Sequence, residues 1–310
     1  MSDRTELSII LVTYNSHAFV GDCLRSVAAT VRCRHEIVVA DNASSDGTVD
    51  LLRRSFPEVT VIEMGENAGF ARANNRALAA SVGRHAVLLN GDTLLGEGAL
   101  DALVAFLDEN AGAGVASPQL LNTDLSDQRT ARSFPTPAAA LWGRRSPLTR
   151  WFPKNRWSTR YLIGADPVSQ EPYEVDWVSG ACLMAPRHVL EQVGGLDEGF
   201  FMHWEDADWC RRVKDAGFGV YCVPRARVIH AEGGSRRGWP PAQVRHFHRG
   251  AYRYYAKHHL NGPRRLLRPL AAAALAGRAG FVITRDVTAE RLRRRHRSRV
   301  VPSGAACNPT

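Results

Sequence analysis

The chain has 310 residues, 45% hydrophobic and 23% charged, a balance that excludes a largely disordered, collagen-like or multi-span membrane protein. The length fits two domains, or one large α/β domain with a short appendix. The formal charge of +9 is unevenly placed: residues 260–310 hold eleven arginines, no lysine, and only Asp286 and Glu290 as acids, so residues 1–259 sum to about zero.

In the first 120 residues, short β-branched runs alternate with helical patterns. Ser8–Thr13, Glu36–Asp41, Val59–Met64 and His85–Asn90 read as strands, and Phe19–Val31, Val49–Ser55 and Phe70–Ser81 read as helices. Near-continuous apolar runs such as Ile9-Ile10-Leu11-Val12 suit strands covered on both faces, and the alternation predicts a parallel sheet. Right-handed crossovers then place the strand ends Thr13, Asp41 and Asn90 along one edge, where open α/β sheets bind ligands. The Pro-, Arg- and Trp-rich stretch from Asp124 to Gln170 is expected to form a mobile loop over a cleft. Beyond it the pattern predicts a strand pair within Glu174–Ala185, a helix Pro186–Val193, a stop at Gly194-Gly195, a helix Trp204–Ala216 and strands ending near His230.

Several strand ends carry groups suited to a ligand. Val12-Thr13-Tyr14-Asn15-Ser16 and Asp41-Asn42-Ala43-Ser44-Ser45-Asp46-Gly47-Thr48 lie side by side in this arrangement and point to a nucleotide, although turn and N-cap chemistry also explains residues 45–48. Asn67-Ala68-Gly69-Phe70 opens a helix on which Arg72 and Asn75, three apart, share a face able to meet a phosphate or a base. Asn90-Gly91-Asp92-Thr93 delivers a carboxylate at the sheet edge, the place for a hard divalent cation, and equally suits an Asx turn. In Glu205-Asp206-Ala207-Asp208, helical spacing puts Asp206 on the apolar stripe of Trp209 and Val213, where burial suits a general base. Asp208 is expected to pair with Arg211 or Arg212 on the exposed surface. His230 ends an apolar strand and reads as a metal or phosphate ligand, whereas His246, His248, His258 and His259 scatter around a helix and read as solvated or interfacial.

Taken in order, residues 12–16, 41–48, 67–75 (Asn-x-Gly-Phe-Ala-x-x-Asn-Asn), 90–92, 194–201 (Gly-Gly-Leu-Asp-Glu-x-Phe-Phe) and 205–212 (Glu-Asp-x-Asp-Trp-x-x-Arg) resemble a family 2 inverting glycosyltransferase over residues 7 to about 235. Within that family the pattern is similar to bacterial rhamnosyltransferases acting on N-acetylglucosaminyl-diphospho-decaprenol. The resemblance implies a GT-A fold with a Rossmann-like, mostly parallel sheet and helices on both faces. It implies a domain over 1–240, with a nucleotide-sugar half at about 1–123 and an acceptor half at about 171–240, followed by a helical, Arg-rich extension over 241–310. It further implies a nucleotide-diphosphate sugar donor, dTDP-rhamnose, held by Thr13, Tyr14, Asn15, Asp41, Asn67, Arg72, Asn75 and Asn90. Mg²⁺ or Mn²⁺ would sit on Asp92 and His230, Asp206 would be the base with Glu205 beside it, and Trp177, Ser179, Gly180 and Trp204 would shape the sugar and acceptor pocket. Where the commonest family pattern is Asp-x-Asp, this chain has Asn90-Gly91-Asp92. Alternatives are a galactofuranosyl- or N-acetylglucosaminyltransferase of the same fold, or a non-catalytic, membrane-anchored glycan-binding module.

Leu266–Ile283 is mostly apolar but interrupted by Arg268, Pro269 and Arg278, leaving uncharged runs shorter than the roughly 20 residues of a spanning helix. With Arg291, Arg293, Arg294, Arg295, Arg297 and Arg299 behind it, this tail is expected to lie on an anionic membrane beside a lipid-linked acceptor. A nucleic acid is not the expected partner, because the body is neutral and the tail lacks interleaved aromatic residues. The six cysteines form no C-x-x-C pair and the first residues lack a leader pattern, which points to the cytoplasmic face of the cell membrane.

Overall fold

The computed structural model describes residues 5–136, 170–231 and 240–300, with side chains to residue 288. The chain divides into two compact units, Met1–Ser235 and Arg236–Thr310.

The first unit is a mixed sheet with helices on both faces. Its strands are β1 Leu7–Thr13, β2 His35–Asp41, β3 Thr60–Glu63, β4 His85–Asn90, β5 Thr93–Leu95, β6 Ala113–Leu121, β7 Tyr173–Val175, β8 Cys182–Pro186 and β9 Gly219–His230. Its helices are α1 Val20–Thr30, α2 Thr48–Ser55, α3 Phe70–Ala79, α4 Ala99–Glu109, α5 Arg187–Val193 and α6 Glu205–Asp215. The strand order is β3-β2-β1-β4-β8-β6-β9-β5, with β7 added beside β9. β1, β2, β3 and β4 run parallel, while β8 enters antiparallel between β4 and β6. Ile9, Ile10 and Leu11 of β1 are fully buried, as a strand covered on both faces requires.

Two expectations are corrected. Glu174–Ala185 is not a hairpin: β7 pairs with β9, and β8 pairs with β4 and β6. The strands of this half are joined through distant partners, which local alternation cannot reveal. The start of the presumed mobile loop is also ordered by specific bonds. Asn122 N–H donates to Ser126 O at 2.8 Å, Leu121 bridges Asp127, and Arg132 bridges Trp177. Residues 137–169 of that stretch lie outside the described residues.

The second unit contains α7 Pro241–His258, a 3₁₀ turn Gly262–Leu267 and α8 Arg268–Val300. Arg268 fastens the turn by donating to the carbonyls of Leu260 and Ala256, both at 2.9 Å. Its histidines are more packed than the scatter on α7 implies. His248 is buried, with Nδ1 2.8 Å from Val244 O, and His258 and His259 lie against the rings of Tyr254 and Tyr255. Leu266, Leu267, Leu270 and Phe281 are exposed. Gly262–Thr288 is long and apolar enough, by length and composition, to cross a membrane. The side chains of the polybasic cluster from Arg291 onward lie outside the described residues.

Candidate active site

The parallel register sets Thr13 opposite Asp41, and Val12 opposite Asn90, so the three predicted strand ends share one edge. There two loops are laced together. Asp41 is buried, and its carboxylate accepts bonds from Thr13 Oγ1 at 2.7 Å, Ser44 Oγ at 2.6 Å and Ser44 N at 2.8 Å. Asn15, at φ 51°, receives Ser45 N on its Oδ1 at 2.8 Å and donates its own N–H to Ser44 Oγ at 2.8 Å. Tyr14 stands 53% exposed beside them. Asp41 thus shapes the loop from behind, while Tyr14 supplies an open aromatic surface.

Asn67 and its neighbours form the entry to α3. Asn67 Oδ1 accepts Gly69 N–H, and Asn42 grips both Ala68 N and Gly69 O. Gly69 has φ 87°, and a Cβ there would meet Phe201 O at 2.5 Å, so only glycine fits where the helix start touches the Phe200-Phe201 loop. Arg72 is exposed and pairs with Glu66. Asn75 is placed differently from its predicted neighbour. Its amide donates to Leu196 O and Glu198 Oε1 and accepts from Leu196 N, at 2.8, 3.0 and 2.8 Å. The shared helix face seen in sequence is therefore split, because the Gly195–Glu198 loop covers Asn75.

At the end of β4, Asp92 meets His230. Strand β5 pairs antiparallel with β9, setting Thr93 opposite His230 and bringing His230 Nε2 to 3.2 Å from Asp92 Oδ1. Gln128, which carried no signal in the sequence, fixes the ring. Its Nε2 donates to His230 O at 2.6 Å, which leaves its Oε1 to accept from His230 Nδ1 at 3.1 Å. Nδ1 thus faces the Gln128 amide oxygen, and Nε2 faces Asp92, with Asn90 Nδ2 3.4 Å from the same atom. A ring nitrogen and a carboxylate oxygen at that separation hold either a proton or a cation between them. The donor set fits a divalent cation that keeps coordination positions for substrate oxygens. Among the described residues no group of three or more His, Cys, Asp or Glu side chains forms a closed cage.

Beside this edge lies a carboxylate pair. Asn90 N donates to Ala181 O at 2.9 Å, and the adjoining Gly180 N donates to Asp206 Oδ2 at 3.1 Å. Helix α6 starts abruptly after His203 and Trp204, both in the left-handed region at φ 68° and 76°, a conformation that costs non-glycine residues about 1 kcal/mol or more. That turn sets Glu205 and Asp206 at the helix N-terminus. Glu205 is buried and its Oε2 has no hydrogen-bond partner among the described residues; burial, then the charge of Asp206, pushes its carboxyl well above the usual range. Asp206 is half-buried and also pushed up by burial, opposed by the N–H groups of Gly180 and Ala207 and by the charge of Arg132. A partly exposed carboxyl pushed up in this way suits a proton acceptor.

The remaining predicted residues lie just before β8 and at the start of α6. Gly180 touches Asp206 directly, Ser179 caps Ala181 N at 3.3 Å, and Trp177 is buried with Nε1 donating to Ser133 O at 2.9 Å. Trp204 precedes the carboxylate pair in the strained turn and accepts Asp208 N–H on its carbonyl. Asp208 is not at the surface as expected. It is fully buried and receives Arg212 Nε at 3.0 Å, while Arg212 also donates to Val193 O and Gly195 O, and Arg211 turns to Asp215. Helical spacing correctly pairs positions 208 and 212, but α5 and its Gly-Gly stop cover the pair.

Residues 8–164 match the family model of glycosyl transferase family 2. The chain is 29% identical, over 93% of its own length and 96% of the relative's, to the N-acetylglucosaminyl-diphospho-decaprenol L-rhamnosyltransferase of Mycobacterium tuberculosis. It is 24% identical to the dTDP-rhamnosyl transferase RfbF of Shigella flexneri, over 74% of this chain and 70% of the relative. Among solved structures it resembles GalNAc-T7 with UDP, GalNAc and Mn²⁺, with a TM-score of 0.60, 17% identity and 83% of this chain covered. The chain spans about half the length of that structure, 48%. It also resembles the mannosyltransferase PcManGT of Pyrobaculum calidifontis in complex with GDP-Man and Mn²⁺, with a TM-score of 0.57, 20% identity, and 89% of this chain and 74% of the other covered. With its GT-A fold and this match over half its length, the chain belongs to glycosyl transferase family 2 and is a glycosyltransferase.

Proposed function

We propose that the chain transfers L-rhamnose from dTDP-rhamnose, with inversion, to a lipid-linked diphospho-glycan of the cell-wall precursor type. The observation that carries this reading is the near full-length likeness to a rhamnosyltransferase acting on such a lipid. The dTDP-rhamnosyl transferase among its relatives supports the donor. The nucleotide lies across the ends of β1, β2 and β4, with Tyr14 and Asn15 at its base and ribose and Asp41 holding their loop. Asn67 and Arg72 flank the sugar-diphosphate side, and Asn90 stands next to the metal position. Asp92 and His230 hold Mg²⁺ or Mn²⁺, which when bound supplies positive charge to the leaving diphosphate. Asp206 accepts the proton of the acceptor hydroxyl as that oxygen attacks the anomeric carbon from the opposite face. Trp177, Ser179, Gly180 and Trp204 border the acceptor pocket.

The second unit places the enzyme at the lipid. Arg245, Arg249, Arg253 and Lys257 are all exposed and follow one another at four-residue spacing, forming a cationic stripe along α7. The exposed leucines of the turn and α8 supply an apolar complement. Cations beside exposed apolar side chains suit peripheral association with the anionic cytoplasmic leaflet.

The test is a thermal-shift screen with dTDP- and UDP-sugars, with and without Mn²⁺, followed by transfer to a short-chain N-acetylglucosaminyl-diphospho-polyprenol. A ligand at about 100 times its Kd stabilises by about 2.7 kcal/mol. dTDP-rhamnose is expected to give the largest shift and to support transfer. A larger shift and faster transfer with a UDP-sugar would move the reading to another glycosyltransferase of this fold.

A further inference from the structure

Arg132 lies in the segment after β6 and is bound edge to edge to the residues leading into β8. Its N–H donates to Trp177 O, and its carbonyl accepts from Asp176 N and Trp177 N, each at 3.1 Å. The guanidinium rests 5.1 Å over the Trp177 ring, and its Nε donates to Arg129 O at 3.0 Å. Its two terminal nitrogens make no hydrogen bond among the described residues. Three residues past Trp177, Gly180 binds Asp206. Arg132 is thereby fixed in orientation on Trp177, three residues before the glycine that binds Asp206, and its positive charge favours the ionised form of that carboxyl.

The described cationic side chains of α6 are engaged elsewhere, Arg211 with Asp215. Arg212 serves Asp208 and two carbonyls, and Lys214 serves Glu174 and Val175 O. The Cys210 thiol is buried and pushed up to about 12, hence neutral. From α3 the neighbour over Gly180 is Phe70, and Glu205 beside Asp206 favours its own protonated form. Two adjoining carboxyls withdrawn from water tend to share one charge or none. A base that starts protonated accepts nothing.

We propose that Arg132 is a positioning residue for the transfer reaction, holding a fixed positive charge beside Asp206 so that the base meets the acceptor hydroxyl in its proton-accepting form. This rests on the reading of Asp206 as the base. The choice of arginine follows from the seat: a guanidinium stays charged at every working pH and stacks flat on an indole, which an ammonium does less well.

The test compares Arg132→Met, which keeps an apolar stem over Trp177 but no charge, with Arg132→Lys, which restores charge without the flat stack. In the pH profile of kcat/KM, the acid limb of Arg132→Met is expected to move toward higher pH by about one unit, with Arg132→Lys close to wild type. A second measurement needs no substrate: thermal unfolding of wild type, Arg132→Met, Asp206→Asn and the double variant at about pH 5.5 and about pH 8. Arg132→Met is expected to lower Tm more at the higher pH, and that excess is expected to vanish in the Asp206→Asn background. An unmoved acid limb with only a raised acceptor KM would make Arg132 an acceptor contact and overturn the proposal. Equal loss of Tm at both pH values, with or without Asp206, would also overturn it, leaving only a packing role. Failure of the base reading itself is seen separately, as wild-type turnover by Asp206→Asn.

Discussion

Asp92 Oδ1 and His230 Nε2 stand 3.2 Å apart because the short strand β5 pairs with the end of β9, setting Thr93 across from His230. The Gln128 amide fixes the ring so that Nε2 faces the carboxylate. These two side chains come from strand ends far apart in the chain, and in the proposed function they hold the metal.

Metal dependence follows. Exhaustive chelation is expected to silence transfer, with Mn²⁺ or Mg²⁺ restoring it, and Asp92→Asn and His230→Ala are each expected to weaken Mn²⁺-dependent donor binding in a thermal-shift titration. Gln128→Ala, which removes only the partner of the ring, is expected to weaken metal affinity by about 10- to 100-fold. Full activity after chelation would leave charge stabilisation of the leaving group to arginine side chains such as Arg72.

Asn75 tests the split of the α3 face. Asn75→Ala removes three hydrogen bonds to Leu196 and Glu198 and is expected to cost about 1–3 kcal/mol in denaturant unfolding, while donor affinity stays unchanged. A fall in donor affinity at unchanged stability would return Asn75 to the nucleotide-sugar.

Glu205 gives stability a pH dependence of definite sign. Its folded carboxyl titrates well above the ordinary value of 4.5, so between the two values the unfolded chain releases a proton that the folded chain keeps. Its contribution is fully present below about pH 4.5 and is lost as pH rises toward the folded value. Glu205→Gln is expected to flatten that decline and to raise Tm at neutral pH relative to wild type. An unchanged slope of stability against pH would show that Glu205 is ionised in the fold.

The second unit is tested with vesicles. A chain ending at Pro263 is expected to lose sedimentation with anionic liposomes at physiological salt, and reversing the charges of Arg245, Arg249, Arg253 and Lys257 is expected to weaken it, since each cation near such a surface is worth about 1 kcal/mol. Release of the full chain from membranes by carbonate marks an interfacial helix. Retention would show that Gly262–Thr288 crosses the bilayer.

Much of the first half was legible because its strands are buried on both faces and its loops are short. β4 begins and ends at the predicted residues, and β1 and β2 differ by one. The second half resisted for a physical reason: β7, β8 and β9 find partners far away in the chain, and nothing in Glu174–Ala185 distinguishes a hairpin from two strands of separate ladders. β5, of three residues, is too short to show a period, yet it creates the Asp92–His230 contact. Gln128 and Arg132 gave no local signal, since their roles come from a segment whose partners are His230 and Trp177. The apolar stripe of α6 predicts burial for Asp206, which is only half-buried, whereas the full burial of Asp208 depends on α5 folding over it.

The most direct test of the account is turnover of Asp206→Asn at saturating donor and acceptor, with donor binding measured in parallel. The substitution keeps the shape of the side chain and removes its capacity to take a proton. A general base contributes a factor of about 100 to 10,000, so the rate is expected to fall by at least about 100-fold with donor affinity unchanged. Retention of more than about a tenth of the wild-type rate would contradict the assignment and shift the search for the base to Glu205.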